Sequence, residues 1–318
     1  MTSAAQVLSR AVRSGILQPR DALSGRAYVT AIGASNFVHR VSVDGAAVAF
    51  VKSTGQAAAL DGDDSVAREA AVLRLLSGTR TAPDILPQTT GGELWLAPVE
   101  GMSVAELSGT GDIPAMSDAF AGLGTTLAGL HRVATREGAP EFRLPWPMLD
   151  RLPAHMETAR HHKVPTRVIE TARSLRDVTS AARQRWLPIA WTHGDVSAMN
   201  IIVSTTGHVR LIDWEGAGFG DPVWDLAGAD LMAGLLAPGW HQVAVARLRH
   251  AYRSDGGPAR EPDPATRCVR TLVAAYQHAA GAFALGTLPD ADGSVTRLLD
   301  DALEWAAVHR AEARGVQC

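Results

Sequence analysis

The order of apolar and polar positions divides the chain into a strand-rich first third and a mostly helical remainder. Short runs that alternate in polarity or are rich in β-branched residues predict strands, at residues 27–33, 37–43, 46–52 and 93–99. Asp44-Gly45 separates the second run from the third and is typical of a tight hairpin turn. We therefore expect a small sheet with at least one hairpin in the first third.

Apolar residues recur at helical spacing once in the first third and throughout the rest of the chain. The helices predicted in this way cover residues 63–78, 117–134, 165–184, 264–283 and 294–314. Asp263-Pro264 and Asp221-Pro222 are sequences common at helix starts. The glycine-rich stretch 216–222 lacks the spacing of a dinucleotide-binding loop and is expected to be an ordinary loop. Asp225, one turn into the helix that follows, is expected to brace the segment before it.

Residues 201–212 are predicted to form a hairpin with its turn at Thr206-Gly207. The hairpin would bring Asn200, at the start of one strand, beside Asp213, at the end of the other, with Asp195 a few residues upstream. Amide and carboxylate oxygens are ligands that suit Mg²⁺. Taken singly, each carboxylate has a simpler explanation, since Asp195 could cap a turn and Asp213 could end a strand.

Glu69 lies on the apolar face of the predicted helix 63–78, between Leu73 and Leu76. Burying a carboxylate there costs several kcal/mol unless a cation meets it. Lys52, at the end of the preceding strand, is the only lysine in this part of the chain. We therefore expect a Lys52–Glu69 ion pair; the alternatives are a lysine that extends to solvent at the sheet edge and a glutamate at the rim of the helix face.

Composition bounds the function. The chain has 318 residues, 46% hydrophobic and 20% charged, and a formal net charge of -3, which is typical of a soluble globular protein and argues against nucleic-acid binding through phosphate neutralisation. It has no signal-peptide pattern and no apolar run of membrane-spanning length, so we expect no membrane association and a cytoplasmic location. The two cysteines, Cys268 and Cys318, suggest neither a disulfide framework nor a metal site, and His161-His162 lacks a third ligand nearby in sequence.

Two carboxylates, an amide and a lysine held by a glutamate are the groups that phosphoryl transfer requires. Their spacing, with the motifs "HGDVSAMN" at 193–200 and "IDWE" at 212–215, resembles the protein-kinase-like fold and is most similar to its aminoglycoside phosphotransferase and choline kinase branch. "LAGLHR" at 127–132 and "GDPVWDLA" at 220–227 extend the resemblance over residues 27–230. It implies an α+β fold with two lobes, a small β-rich N-lobe at 1–98 and a larger helical C-lobe at 99–318.

The resemblance implies ATP and Mg²⁺ as cofactors. Asp195 would be the catalytic base for the acceptor hydroxyl, and His193 would support the catalytic loop. Asn200 and Asp213 would hold Mg²⁺ beneath the ATP phosphates.

The remaining implied contacts are with the nucleotide. Lys52, positioned by Glu69, would contact the α- and β-phosphates, and Ala97–Val99 would bind adenine through backbone groups. Ser35 and Asn36 could donate hydrogen bonds to a phosphate, although a turn explains them equally well. The loop around them has a single glycine, unlike the glycine-rich loop of protein kinases.

The acceptor is less constrained. The resemblance implies a hydroxyl of a small molecule, which could be an aminoglycoside or another metabolite or antibiotic such as choline, a sugar or an amino alcohol. An aminoglycoside is polycationic and would need an acidic cleft, for which there are candidates at Glu261, Asp263, Asp290, Asp292, Asp300, Asp301 and Glu304. An alternative is a kinase for Ser/Thr of a precursor peptide in lanthipeptide-type biosynthesis, with a partner lyase, in which the segments 144–149 and 237–240 face the peptide; those segments could equally pack between helices. A nucleotide-binding pseudokinase scaffold would predict loss of Lys52, Asp195 or Asp213, and all three are present.

Overall fold

A computed structural model describes residues 3–32, 37–54, 64–87, 89, 92–134, 137–150, 163–284, 290 and 293–315. Two helices that the sequence reasoning missed precede the first strand, α1 (Ala4–Arg13) and α2 (Pro19–Leu23). A capping box between Ser3 and Gln6 starts α1. The apolar face of α1 packs on the outer side of the sheet, where Val7 and Ala11 are fully buried.

The N-terminal sheet has four antiparallel strands in sequence order. They are β1 (Ala27–Ala31), β2 (Phe37–Val43), β3 (Ala46–Ser53) and β4 (Glu93–Leu96). The predicted hairpin turn at Asp44-Gly45 is present, with φ of 50° and 88° at the two residues, as the twist of a two-residue hairpin requires. The first and last predicted strands are shorter than expected at their C-terminal ends.

Helix α3 (Ser65–Leu75) connects β3 to β4 and packs against the sheet. It is shorter than the predicted 63–78, because the chain turns after Leu76 and Gly78 adopts a φ of 81°. The sheet and α3 form the β-rich lobe of the predicted two-lobed fold. The boundary between residues 98 and 99 remains a prediction.

The C-terminal part is mainly helical. Its helices are α4 (Val104–Gly109), α5 (Ile113–His131), α6 (Trp146–Asp150), α7 (Lys163–Ser174), α8 (Arg176–Gln184), α9 (Val223–Leu236), α10 (His241–Ser254), α11 (Pro264–Ala284) and α12 (Ser294–Ala313). The predicted helix 165–184 is two helices that meet at Leu175. Helix α5 crosses α10 closely, because Gly124 leaves room where a Cβ would lie 2.3 Å from the carbonyl oxygen of Leu248.

Two small sheets support the loops between these helices. One joins β5 (Met102–Ser103), β7 (Ile201–Val203) and β8 (Val209–Leu211), and the other joins β6 (Ala190–Thr192) to β9 (Gly218–Gly220). The expectation of a plain loop at 216–222 was wrong for Gly218–Gly220, which form β9 and pair with Ala190–Thr192 of β6. No helix among the described residues is both long and apolar enough to cross a membrane.

Candidate active site

The β7–β8 hairpin brings the predicted polar groups together. Ile201 pairs with Leu211, and the backbone N–H of Ile212 donates to the carbonyl of Asn200 at 2.9 Å. Asn200 and Asp213 therefore lie at the same end of the hairpin. The Asn200 side chain donates from Nδ2 to Asp195 Oδ2 at 2.9 Å and to the Asp195 backbone carbonyl at 3.1 Å, which fixes the loop between them.

Lys52 and Glu69 form the expected ion pair. Lys52 Nζ lies 2.8 Å from Glu69 Oε2 and 2.9 Å from Oε1, and the two residues are 8% and 0% exposed. Both simpler explanations, a lysine at the sheet edge and a glutamate at the rim, are thereby excluded. Lys52 also donates to Asp213 Oδ1 at 2.5 Å, so its ammonium group connects the sheet, α3 and the hairpin.

At this cluster, burial and charge pairing shift the pKa values of Lys52 and Glu69 in opposite directions. Burial disfavours the charged lysine, but the carboxylates of Glu69 and Asp213 outweigh it and hold the pKa of Lys52 above its usual value. Burial raises the pKa of Glu69, and Lys52 opposes that rise. The pair therefore depends on both partners, since removing one would leave an uncompensated buried charge.

Asp213 has an unusual backbone conformation. Its φ and ψ are 65° and 66°, in the left-handed region, where aspartate is among the better tolerated residues. The following residue, Trp214, donates its backbone N–H to Glu69 Oε1 at 3.2 Å. The turn thus directs the Asp213 carboxylate at Lys52 while the main chain is tied to α3.

His193 is buried and held at both ring nitrogens. Nε2 is 3.0 Å from the carbonyl of Ile212, and Nδ1 accepts the backbone N–H of Asp195 at 3.3 Å. Because a carbonyl only accepts and an N–H only donates, these contacts match a neutral ring protonated at Nε2. A fully buried ring between two loops suits the predicted supporting role.

Asp225 braces the segment before Asp195, as its position in α9 suggested. It is 1% exposed and accepts the backbone N–H groups of His193 at 2.7 Å and Gly194 at 2.9 Å. His131 Nε2 lies 3.1 Å from the same carboxylate. Burial alone would raise the pKa of Asp225, but the hydrogen bonds from His131 and Gly194 hold it below its usual value.

The segment after β4 has free backbone groups where the adenine contact was predicted. The Ala97 N–H donates to the carbonyl of Asp84 at 2.9 Å. Within the described part of the chain, the Ala97 carbonyl and the Val99 N–H make no hydrogen bond. These two groups have the donor and acceptor character that an adenine edge requires. Ser35 and Asn36 lie outside the described residues.

The oxygen donors at the hairpin fit Mg²⁺. Asn200 uses its amide nitrogen for Asp195, which leaves its amide oxygen for a ligand, and the Asp213 side chain is 37% exposed. No cluster of three or more His, Cys, Asp or Glu able to hold a metal was found in the described part of the chain. Mg²⁺ commonly takes one or two protein oxygens and completes its shell with phosphates and water, so two oxygen donors match the number of protein ligands that it usually takes.

Two arginines at the site were not foreseen. Arg68, beside Glu69, donates to the carbonyl of Ala217 at 2.8 Å and also to that of Glu141. Arg270 of α11 reaches Asp195, with Nη2 3.5 Å from Oδ1. The only signal for Arg270 in the sequence is a charged residue within the apolar stretch 268–276.

Three of the seven acidic candidates for the acceptor have contacts that serve the fold. Glu261 pairs with Arg253, Asp263 caps α11 at the N–H of Thr266, and Asp290 accepts from Thr296. Asp292 lies outside the described residues. Asp301 and Glu304 line a cleft of about 260 Å³ between α9, α11 and α12, and Asp300 is exposed beside them.

The two segments proposed to face a peptide each pack a tryptophan against the C-terminal part. Trp240 meets Phe120 edge-to-face at 5.9 Å between ring centroids. Trp146 is 8% exposed and meets Trp186 in the same way at 6.1 Å. Inter-helix packing therefore accounts for the two tryptophans, whereas Leu144, Pro238 and Gly239 are exposed.

Comparison with known proteins relates the chain to one family of phosphotransferases. The model of the phosphotransferase enzyme family (APH) matches residues 30–261. No curated protein sequence matches the chain.

Among solved structures, choline kinase LicA from Streptococcus pneumoniae is 16% identical with a TM-score of 0.62, covering 93% of this chain and 99% of its own. Macrolide 2'-phosphotransferase type I is 20% identical with a TM-score of 0.59, covering 92% and 96%. A thermostable mutant of aminoglycoside phosphotransferase APH(4)-Ia, in a ternary complex with AMP-PNP and hygromycin B, is 14% identical with a TM-score of 0.61, covering 96% and 98%. At these identities the similarity shows a shared kinase-like fold.

Proposed function

Because the chain belongs to the phosphotransferase enzyme family, we propose that it transfers the γ-phosphate of ATP, with Mg²⁺, to a hydroxyl group of a small molecule. The observation that carries the proposal is the joint placement of Asp195, Asn200, Asp213 and the Lys52–Glu69 pair at one end of the β7–β8 hairpin. A structural neighbour solved with AMP and another with AMP-PNP support a nucleotide substrate. The small-molecule acceptor is supported by the choline kinase, macrolide and aminoglycoside phosphotransferase neighbours.

Asp195 is the proposed base. Its side chain is 34% exposed, so a substrate can reach it, while Asn200 holds one carboxylate oxygen. In the transfer, the acceptor oxygen forms a bond to the γ-phosphorus, its proton passes to Asp195, and the bond from the γ-phosphorus to the bridging oxygen of ADP breaks. General-base assistance of this kind contributes about 10²–10⁴-fold.

Lys52 and Asp213 provide the charge for the nucleotide side. The Lys52 ammonium, fixed by Glu69, would bind phosphate oxygens, and the backbone of Ala97 and Val99 would bind adenine. Mg²⁺, held by Asn200 and Asp213, would neutralise charge that develops on the phosphates. Preorganised charges of this kind supply a large share of catalysis in phosphoryl transfer.

The experiment is transfer of labelled γ-phosphate from ATP to a panel of acceptors. The panel contains aminoglycosides, macrolides, sugars, choline-like alcohols and Ser/Thr peptides. We expect label on one class of small molecule with the wild type, a loss of at least about 100-fold in Asp195→Ala, and unchanged transfer in Asp118→Ala, an exposed aspartate paired with Arg247 on the surface. Label on peptides alone would replace the proposed acceptor class, and near-wild-type transfer by Asp195→Ala would refute the assignment of the base.

A further inference from the structure

Arg270 is a buried cation directed at the proposed base. It extends from α11 between α9 and the catalytic loop, is 4% exposed, and places Nη2 3.5 Å from Asp195 Oδ1. Its guanidinium carbon lies 5.4 Å from the centroid of a ring of Trp224. Asn200 holds Oδ2 of the same carboxylate at 2.9 Å. The two oxygens of Asp195 thus face groups from two different elements.

The neighbouring backbone leaves space for the guanidinium group. A Cβ at Gly228 of α9 would lie 3.1 Å from Arg270 Nε and 3.4 Å from Nη2, tighter than ordinary van der Waals contact. The same Cβ would also lie 3.3 Å from the carbonyl oxygen of Val196, in the catalytic loop. Glycine at 228 therefore allows α9, Arg270 and the loop to meet.

The position of Arg270 is costly for stability. Burial lowers its pKa, which the negative charges of Asp195 and Asp225 partly offset, and its Nε has no hydrogen-bond partner in the described part of the chain. A buried ion with incomplete partners is commonly replaceable by apolar residues without loss of stability. Stability alone does not explain an arginine here, and its contact with Asp195 offers a reason.

We propose that Arg270 is a positioning residue that holds the Asp195 carboxylate in one orientation for the acceptor hydroxyl. Asn200 fixes one carboxylate oxygen and Arg270 faces the other, so rotation of the carboxylate is restricted from both sides. Small errors in the placement of a reacting group cost large factors in rate. The inference rests on the proposed function, because it assigns Arg270 to the same base.

The test compares Arg270→Gln, Arg270→Lys and a matched control, Arg267→Gln. Arg267 is one turn earlier on α11, pairs with Asp230 at 2.7 Å and stacks over Trp305 at 5.0 Å, so it carries similar charge and packing without contacting Asp195. We expect Arg270→Gln to lower kcat about 10–100-fold with KM for ATP within about twofold, and Arg270→Lys to recover part of that loss. Arg267→Gln should reduce stability but leave kcat per folded enzyme unchanged.

A second measurement separates this inference from the proposed function. Crystal structures of wild type and Arg270→Gln should show the Asp195 carboxylate in one orientation in the former and rotated or in several orientations in the latter. That result would support the positioning role whatever the transfer assay gives. A wild type that phosphorylated no acceptor would refute the proposed function without refuting the role of Arg270. An unchanged carboxylate together with an unchanged kcat, or an equal loss of kcat in Arg267→Gln, would overturn the role of Arg270.

Discussion

Replacing Asp225 by Asn tests whether a buried carboxylate holds the catalytic loop. The carboxylate accepts three hydrogen bonds, of 2.7 Å from His193 N–H and 2.9 Å from Gly194 N–H, with His131 Nε2 at 3.1 Å. An asparagine of the same shape has one acceptor oxygen, so in either orientation its NH₂ group faces at least one N–H donor. The substitution therefore removes at least one hydrogen bond, and the hydrogen bonds that remain go to a neutral acceptor instead of a charged one.

The magnitude follows from these contacts. A hydrogen bond to a charged group contributes about 1.5–3 kcal/mol, and a buried N–H left without a partner costs about 1–3 kcal/mol. We expect Asp225→Asn to lower the free energy of unfolding by about 3–5 kcal/mol, a large part of the roughly 5–15 kcal/mol typical of a domain. Urea unfolding followed by tryptophan fluorescence measures the change, with Asp118→Asn as an exposed control expected within about 0.5 kcal/mol. A loss below about 1 kcal/mol in Asp225→Asn would refute the reasoning.

The pH dependence gives a second check on the same variant. The folded-state pKa of Asp225 is lowered, so its contribution is fully present above the unfolded value of about 3.9 and is lost as pH falls through the folded value. The stability difference between wild type and Asp225→Asn should be constant from pH 5 to 7 and shrink below about pH 4. A difference that grew as pH fell would contradict the assigned direction.

Two further outcomes follow from the site and the core. Asp213→Ala should abolish transfer at millimolar Mg²⁺ while Asp118→Ala responds to Mg²⁺ as the wild type does; a near-normal kcat in Asp213→Ala would remove it from the metal site. Burial raises the pKa of the Cys268 thiol to about 12, so in a Cys318→Ser background a thiol reagent at pH 8 should label the protein only after unfolding. Rapid labelling of the folded protein would show that Cys268 is accessible.

The parts of the site that the sequence revealed were those with a local cause. Glu69 could be assigned because a carboxylate on an apolar helix face needs a cation, and the chain offers one lysine nearby. Asn200 and Asp213 could be paired because a short hairpin joins them. The family motifs then related these groups to Asp195, which local pattern alone did not distinguish from a turn cap.

The parts that the sequence did not reveal depend on long-range packing. Arg270 meets Asp195 although the two residues are far apart in sequence. Arginine is frequent throughout the chain, so an arginine at position 270 did not stand out as a candidate. Strands β6 and β9 are three residues each, too short for alternation to be recognised, and glycines in β9 argue against a strand until a partner is known. Helices α1, α2, α4, α6 and α10 were missed, although α1 and α4 carry capping boxes.

The hydrogen bonds of Arg68 limit how far α3 can move. In α3 it is the residue before Glu69, and it binds backbone carbonyls at Ala217 and Glu141 in the other lobe. A Cβ at Gly218 would lie 2.8 Å from Arg68 Nη2, so glycine there leaves room for this anchor. Glu69 accepts the backbone N–H of Trp214 as well, so two consecutive residues of α3 are tied to the backbone of the other lobe. These contacts hold the Lys52–Glu69 pair assembled, so moving α3 away from the site would first require breaking the hydrogen bonds of both Arg68 and Glu69.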